Sequence, residues 1–271
     1  MTIAAKKPIA VKMAARQADE GTFLNEDRYE EPKAVFKVFR EILSRKALPP
    51  GARILDAGCA TGELIYYLRK ELPQVKRFEG IDVSEKMITR ARKFVPGASF
   101  EVASVLDGGF FRRRRYDAVI CSSVLSLFDS ADKAVSNLLA CVKEGGIVIV
   151  SGAFNADPVD VVMRYRRSGS PGDVWESGWN IFSCRTIERL LAKSPVGLRW
   201  RWQDFRMPFP IPKRDNDPMR TWTVATSSDP NQLVNGACQL ITIKILIIDV
   251  EGAASGRNGR RFKRGRADGL R

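Results

Sequence analysis

Asp56, Gly58, Ala60, Gly62 and, twenty residues further on, Asp82 are the positions whose types and spacing could do chemistry. An apolar pair, Ile54-Leu55, ends in Asp56 and turns through two glycines four residues apart. A residue without Cβ lets the backbone turn sharply and lets a bulky ligand approach it. Asp82 closes a second apolar run, Phe78 to Ile81. A strand, a glycine turn, a helix, a second strand and a terminal acid make a unit that positions an adenosine-type cofactor. The turn packs beneath the ligand and the acid accepts hydrogen bonds from ribose hydroxyls. The spacing is not that of the dinucleotide fingerprint, G-x-G-x-x-G. From Gly58 the order is G-x-A-x-G, with Glu63 at the sixth position. Glu63 would bring negative charge to the helix N-terminus that should hold a pyrophosphate. The pattern suits a cationic sulfonium carrying an amino-acid tail.

The order D-x-G-x-(G/A)-x-G, followed by Asp82, resembles motif I and the ribose-binding acid of the class I S-adenosylmethionine-dependent methyltransferases, small-molecule type. Ala60 stands where that family has its middle glycine. The resemblance implies an α/β, Rossmann-like, doubly wound fold. Its sheet is mostly parallel and seven-stranded with an antiparallel last strand, and a lid insertion follows the fifth strand. It implies S-adenosylmethionine as cofactor and S-adenosylhomocysteine as product. Asp56 and the turn Gly58, Cys59, Ala60, Gly62 would hold the methionine part, and Asp82 the ribose. Val83 and Met87 would pack on the sugar or the adenine. Ser104, with Val105 beside it, falls where the family often has an acid or polar group at the adenine amine. Ser122, at the end of the fourth strand, would border the methyl group. The N6-adenine and glutamine methyltransferases carry Asn/Asp-Pro-Pro-aromatic there. This chain has Ser122-Ser123-Val124-Leu125-Ser126, which argues against base-flipping chemistry.

Composition narrows the mechanism. Among 271 residues there is no histidine. Ser–His triads, His–Asp dyads and histidine metal sites are therefore excluded, and a general base must be a carboxylate, Tyr, Lys, Cys or water. No cysteine cluster has zinc spacing, so no metal is expected. The five cysteines lie mostly in apolar runs and read as reduced core residues of a cytoplasmic protein. No apolar run reaches the ~20 residues that span a bilayer, and the N-terminus does not read as a signal peptide. The formal net charge of +14 is unevenly placed. Residues 251–271 carry seven Lys/Arg against two acids, and Arg112-Arg113-Arg114-Arg115 forms a second knot. A solvated tail and loop is the plainer reading, and phosphate binding is the alternative.

The elements that must position these residues alternate. Strands are expected at Arg53–Ala57, Arg77–Asp82, Ser99–Val102, Tyr116–Ser122 and Gly146–Ser151. Helices are expected at Thr61–Glu71, Ser84–Phe94, with Ser84 as N-cap, and Ala131–Val142. Such alternation builds a mostly parallel sheet covered on both faces, with ligands across its C-terminal strand ends. A helix over Pro32–Leu43 precedes this core, and the segment Phe23–Tyr29 could fold over the cofactor. Helix Arg185–Lys193 and strand Leu198–Phe205 follow. Thr221–Ala225 reads as the hairpin partner the family's last strands imply, and Gln239–Val250 as a further strand, an additional edge pair. Residues 1–20 are expected to be flexible, 21–250 to form the catalytic domain, and 251–271 to be a disordered tail.

Residues 152–183 break the rhythm, leave a strand's C-terminal end, and are expected to cap the site. Arg164 and Arg166 could bind carboxylate or phosphate oxygens. Trp175 and Trp179 could wall a planar substrate, and Ser126 lies at the expected methyl-transfer edge. Tyr165, Glu176 and Tyr29 are the candidate bases. The reaction expected is SN2 methyl transfer, in which alignment of donor and acceptor can supply roughly 7–11 kcal/mol. A carboxylate acceptor needs no base at neutral pH. The leading reading is O- or N-methylation of a small acidic or planar metabolite. The alternative is an RNA methyltransferase that holds phosphates with the arginine run and tail.

Overall fold

The computed structural model describes residues 13–14, 17–112, 115–166, 168, 175–217 and 219–252. The tail beyond Gly252 and part of the arginine run, Arg113 and Arg114, lie outside the described residues. A two-residue strand β1 (Met13–Ala14) and helix α1 (Gln17–Asn25) lead into α2 (Ala34–Lys46). The alternating core follows as β2 (Arg53–Ala57), α3 (Glu63–Glu71), β3 (Arg77–Asp82), α4 (Glu85–Phe94), β4 (Ser99–Val102), α5 (Gly108–Arg112), β5 (Tyr116–Ser122), α6 (Asp132–Ala140) and β6 (Val142–Asn155). Then come β7 (Arg164–Tyr165), β8 (Trp175–Ser177), β9 (Phe182–Ser183), α7 (Cys184–Leu191), β10 (Leu198–Phe205), β11 (Trp222–Val224), β12 (Gln232–Val234), β13 (Leu240–Ile241) and β14 (Ile243–Val250).

The main sheet runs β10-β14-β6-β5-β2-β3-β4. Its centre is parallel, and β14 is antiparallel to both of its neighbours. Short β9 adds a parallel pairing to the end of β6, making eight strands. The order reverses beside β2, with β3 and β4 to one side and β5 and β6 to the other. That switch point opens a crevice at the carboxyl ends of the strands. Alternate residues of one strand feed opposite layers. Ile54 joins the layer of α2, α3 and α4, whereas Leu55 joins the layer of α5, α6 and α7. Strands covered on both faces read as continuous apolar runs, as Ala118–Cys121 of β5, Ile147–Val150 of β6 and Ile245–Ile248 of β14 do.

Three expectations change. The fifth strand is longer than expected, running from Val142 to Asn155. Thr221–Ala225 does form a strand, β11, but it does not pair with Leu198–Phe205. It belongs to a separate sheet with β12 and β13. The partner of β10 is β14, which also pairs with β6 and so lies inside the sheet. The physical reason is composition. Ile245 and Ile247 face one layer while Leu246, Ile248 and Val250 face the other. A strand apolar on both faces is stable only between two covered layers, and Trp222–Val224 has no such pattern. All five cysteines are free: Cys59, Cys121 and Cys141 are buried, Cys184 is half-buried and Cys238 is exposed. Among the described residues no helix is long and apolar enough to cross a membrane.

Candidate functional site

The glycine turn leaves β2 and is pinned to the next strand. The Gly58 and Cys59 amides both donate to the Ile81 carbonyl, at 2.8 and 2.9 Å. Gly58 and Gly62 adopt φ of +89° and +83°, and Ala60 between them has φ of +45°. An alanine in the left-handed region costs roughly 1–2 kcal/mol. The Ala60 amide offsets that cost by donating to Asp82 Oδ2 at 3.0 Å. Gly58 is required twice over, because a Cβ there would also stand 2.2 Å from Val124 Cγ2. Gly58→Ala is therefore expected to lose about 2–5 kcal/mol of stability, from backbone strain plus overpacking. Thermal unfolding checks this, and adding Val124→Ala should recover only the overpacking share.

Two carboxylates flank the turn in different states. Asp82 accepts from the Ser84 amide through Oδ1 at 3.0 Å and from the Ala60 amide through Oδ2. Burial raises its pKa, and those backbone bonds pull the other way. Asp56 is only 3% exposed, and no hydrogen bond from a described residue reaches its carboxylate. Burial first, and the nearby Asp82 charge second, push it up to about 7. A buried carboxylate with no donor and no cation is poorly solvated until a cation arrives. The set fits a ligand that brings a cationic amino-acid tail to Asp56 and ribose hydroxyls to the free lone pairs of Asp82. Val83, 70% exposed just beyond, offers that ligand an apolar surface. Met87 is buried, and its amide is capped by Ser84 Oγ at 3.3 Å. Ser104 Oγ accepts from the Leu106 amide at 3.1 Å, and Val105 packs in the core. Ser122 Oγ meets Ser151 Oγ at 2.9 Å across β5 and β6. Glu63 is buried and accepts the Arg28 amide at 3.0 Å.

The N-terminal segment straps this crevice. From α1, Glu20 accepts from Ser84 Oγ at 2.7 Å and from Lys86 Nζ at 3.1 Å. Tyr29 is buried, with its ring stacked on Phe94 at 5.1 Å and its hydroxyl donating to the Thr61 carbonyl at 2.8 Å. Burial raises its pKa. Tyr29 is thus an anchor of the strap on the glycine turn and is poorly suited to accept a proton.

The insertion after β6 folds back as a β7–β8 ribbon, and β1 pairs with the outer edge of β8. Its register separates the expected site residues. Arg164 lies opposite Ser177, and Tyr165 lies opposite Glu176. Neighbouring residues of a strand point to opposite faces. The Arg164 face reaches Asp129, just after β5, through an ion pair. Arg166 lies over the Trp175 ring at 5.4 Å and falls on that same face by alternation. Tyr165 and Glu176 lie on the other face and bond each other at 2.9 Å. One acceptor cannot meet both sets. Trp179 is half-buried beyond the ribbon. Ser126 Oγ donates to the Ser123 carbonyl at 3.2 Å, and its own carbonyl accepts the Asn180 amide at 2.8 Å.

Asn180 is the residue that single-position reasoning passed over. It is 1% exposed. Its Nδ2 donates to the Phe128 carbonyl at 2.8 Å and to Asp129 at 3.1 Å, and its Oδ1 accepts the Met163 amide at 2.8 Å. One side chain therefore fastens the lid to the loop after β5. Asn180→Ala should cost about 1–3 kcal/mol by orphaning those groups. Hydrogen exchange at the Met163 amide should quicken by roughly one to two orders of magnitude, while cofactor affinity stays near that of the native chain.

Residues 26–203 match the family described as Methyltransf_23, Methyltransferase domain. Trans-aconitate 2-methyltransferase of Variovorax paradoxus (strain S110) is 27% identical over 145 residues, 53% of this chain and 54% of that protein. dTDP-3-amino-3,4,6-trideoxy-alpha-D-glucopyranose N,N-dimethyltransferase of Streptomyces venezuelae is 31% identical over 112 residues, 40% of this chain and 45% of that one. The chain spans about half the length of the curated relatives it matches. Among solved structures, the [4+2]-cyclase SpnF superposes with a TM-score of 0.54 at 17% identity, covering 84% of this chain and 86% of that one. That last likeness is one of fold alone.

Proposed function

The chain belongs to the Methyltransf_23 family of methyltransferase domains, and from that premise we propose that it is an S-adenosylmethionine-dependent enzyme methylating a small acidic, partly planar molecule on oxygen. The observation that carries the donor half is Asp56 beside the glycine turn, a buried carboxylate raised to about 7 and given no hydrogen bond by the described residues. When bound, S-adenosylmethionine supplies a methyl group on a sulfonium, and transfer leaves S-adenosylhomocysteine. The chain's own share is positioning. Asp56 takes the ammonium of the amino-acid tail, Asp82 takes the ribose hydroxyls, and the strap and lid exclude water. Such alignment can supply roughly 7–11 kcal/mol.

Three features support an acidic acceptor. The chain has no histidine to deprotonate a hydroxyl, and a carboxylate is already nucleophilic at neutral pH. Arg164 and Arg166 share the ribbon face directed at Asp129, with Trp175 beside them. The relative from Variovorax paradoxus is named for a carboxylate substrate. On this reading Tyr165 and Glu176 brace the outer face of the ribbon, and no protein base is needed. The test is calorimetric titration with S-adenosylmethionine, followed by labelled-methyl assays on panels of carboxylic acids, amino sugars and RNA. Methyl esters of small acids are the expected products. Turnover only of amines, or salt-sensitive turnover only of RNA, would overturn the acceptor class. No binding of the cofactor would overturn the whole reading.

A further inference from the structure

The N-terminal segment ties the lid to the strap. β1 pairs in parallel with β8, Met13 opposite Trp175 and Ala14 opposite Glu176. β8 pairs in turn with β7, so the lid is a three-stranded sheet whose outer strand comes from the N-terminal segment. Helix α1 begins at Gln17, three positions after Ala14. Three residues span at most about 11 Å when fully extended. Moving α1 away by more than that reach therefore pulls β1 off β8. Both elements precede residue 26, where the family match begins.

Helix α1 is docked beside the second acid of the site. Glu20 accepts from Ser84 Oγ and Lys86 Nζ, and the Ser84 amide donates to Asp82 Oδ1. The Glu20 carboxylate is close enough for its charge to help raise the Asp82 pKa. Val83, between Asp82 and Ser84, is exposed. A ligand held by Asp82 and resting on Val83 therefore lies against the residues to which α1 is fastened. The contacts it makes to α1 exist only while α1 is docked, so such a ligand favours the docked state. The fastenings at both ends are light. The Glu20–Lys86 pair is exposed on both sides, and the ion pair that holds the ribbon to the loop after β5 leaves Asp129 exposed. Exposed ion pairs contribute little, so a bound ligand can shift both the docking of α1 and the order of the ribbon.

We propose, resting on the donor-site reading above, that β1 and α1 couple the two halves of the site. Cofactor at Asp82 keeps α1 docked, docked α1 keeps β1 on β8, and the paired ribbon then closes over the acceptor side. Filling the donor site thus orders the lid, and by reciprocity a ligand that orders the lid tightens the cofactor. The device favours cofactor before acceptor, and it is built from residues outside the matched family span.

Amide hydrogen exchange on the full chain, with and without saturating S-adenosylhomocysteine, tests this. Exchange across β7 and β8 should slow at least about fivefold when the ligand is bound. Ala14→Pro fixes φ near −65° and removes an N–H, so it should unpair β1. That variant should still bind S-adenosylhomocysteine within about tenfold of the native chain by calorimetry, yet lose the slowing in the ribbon. Glu20→Ala, which releases α1 at its other fastening, should lose it too. Exchange in β5, inside the sheet, should match the native chain in both variants and so reports that they fold. Binding of S-adenosylhomocysteine with no slowing in the native ribbon overturns the coupling and leaves the donor-site reading standing. Slowing that persists in either variant also overturns the coupling. No binding of S-adenosylhomocysteine to the native chain overturns the donor-site reading, and the coupling falls with it.

Discussion

Asp56→Asn is expected to make the ligand-free protein more stable above pH 7 while weakening cofactor binding at least about a hundredfold. The folded pKa of Asp56, about 7, lies above its ordinary value of 3.8. A folded pKa above the unfolded one means that the folded state holds a proton the unfolded state has released. The associated stability is fully present below about pH 4 and is lost as pH rises to about 7. Three pKa units correspond to a loss on the order of 4 kcal/mol. Asparagine has no charge to desolvate, so thermal unfolding of the variant should lack that decline. Binding runs the other way. A cationic tail needs the ionised carboxylate, so native affinity should rise about tenfold per pH unit up to about pH 7 and then level off. The variant should bind weakly with a flat profile over that range. A native profile that is flat between pH 5 and 8 would remove Asp56 from the site.

Asp82→Ala should raise the cofactor dissociation constant by at least about a hundredfold. Two charge-assisted bonds to ribose hydroxyls contribute roughly 1.5–3 kcal/mol each. The loss has a second component, because the same carboxylate holds the Ala60 and Ser84 amides. Without it the strained Ala60 has no anchor and the turn loosens. The two components separate with a cofactor analogue lacking the ribose hydroxyls. Native protein should bind that analogue much more weakly than the parent ligand, whereas the variant should barely distinguish the two. A variant that still prefers the parent ligand by tenfold would place the ribose elsewhere.

Much of this architecture was legible because its signals are local. Arg53–Ala57, Arg77–Asp82, Ser99–Val102, Tyr116–Ser122 and Leu198–Phe205 are strands with the bounds the apolar runs predict. Ser84 caps α4 as its position predicts. Helix α3 starts at Glu63, two residues late, because Gly62 occupies the left-handed region at its cap. The pairing of the last strands was not legible. Trp222–Val224 and Ile243–Val250 are both β-rich, and only the presence of two helical layers selects β14 for the interior.

The sequence by itself determined the donor side of this protein. The glycine turn, the two acids and the alternating elements are encoded within thirty consecutive residues, and local backbone sterics suffice to place them. Tertiary structure decided what those groups can do and which partners they meet. It raised Asp56 towards neutrality, because burial beside Asp82 is a property of the folded sheet. It turned Tyr29 from a candidate base into an anchor. It set Arg164 and Arg166 on one face of a ribbon and Tyr165 and Glu176 on the other, because strand register, invisible in the chain, assigns faces. It also joined Asn180 to residues about fifty positions away. Such long-range meetings are what no local spacing rule encodes.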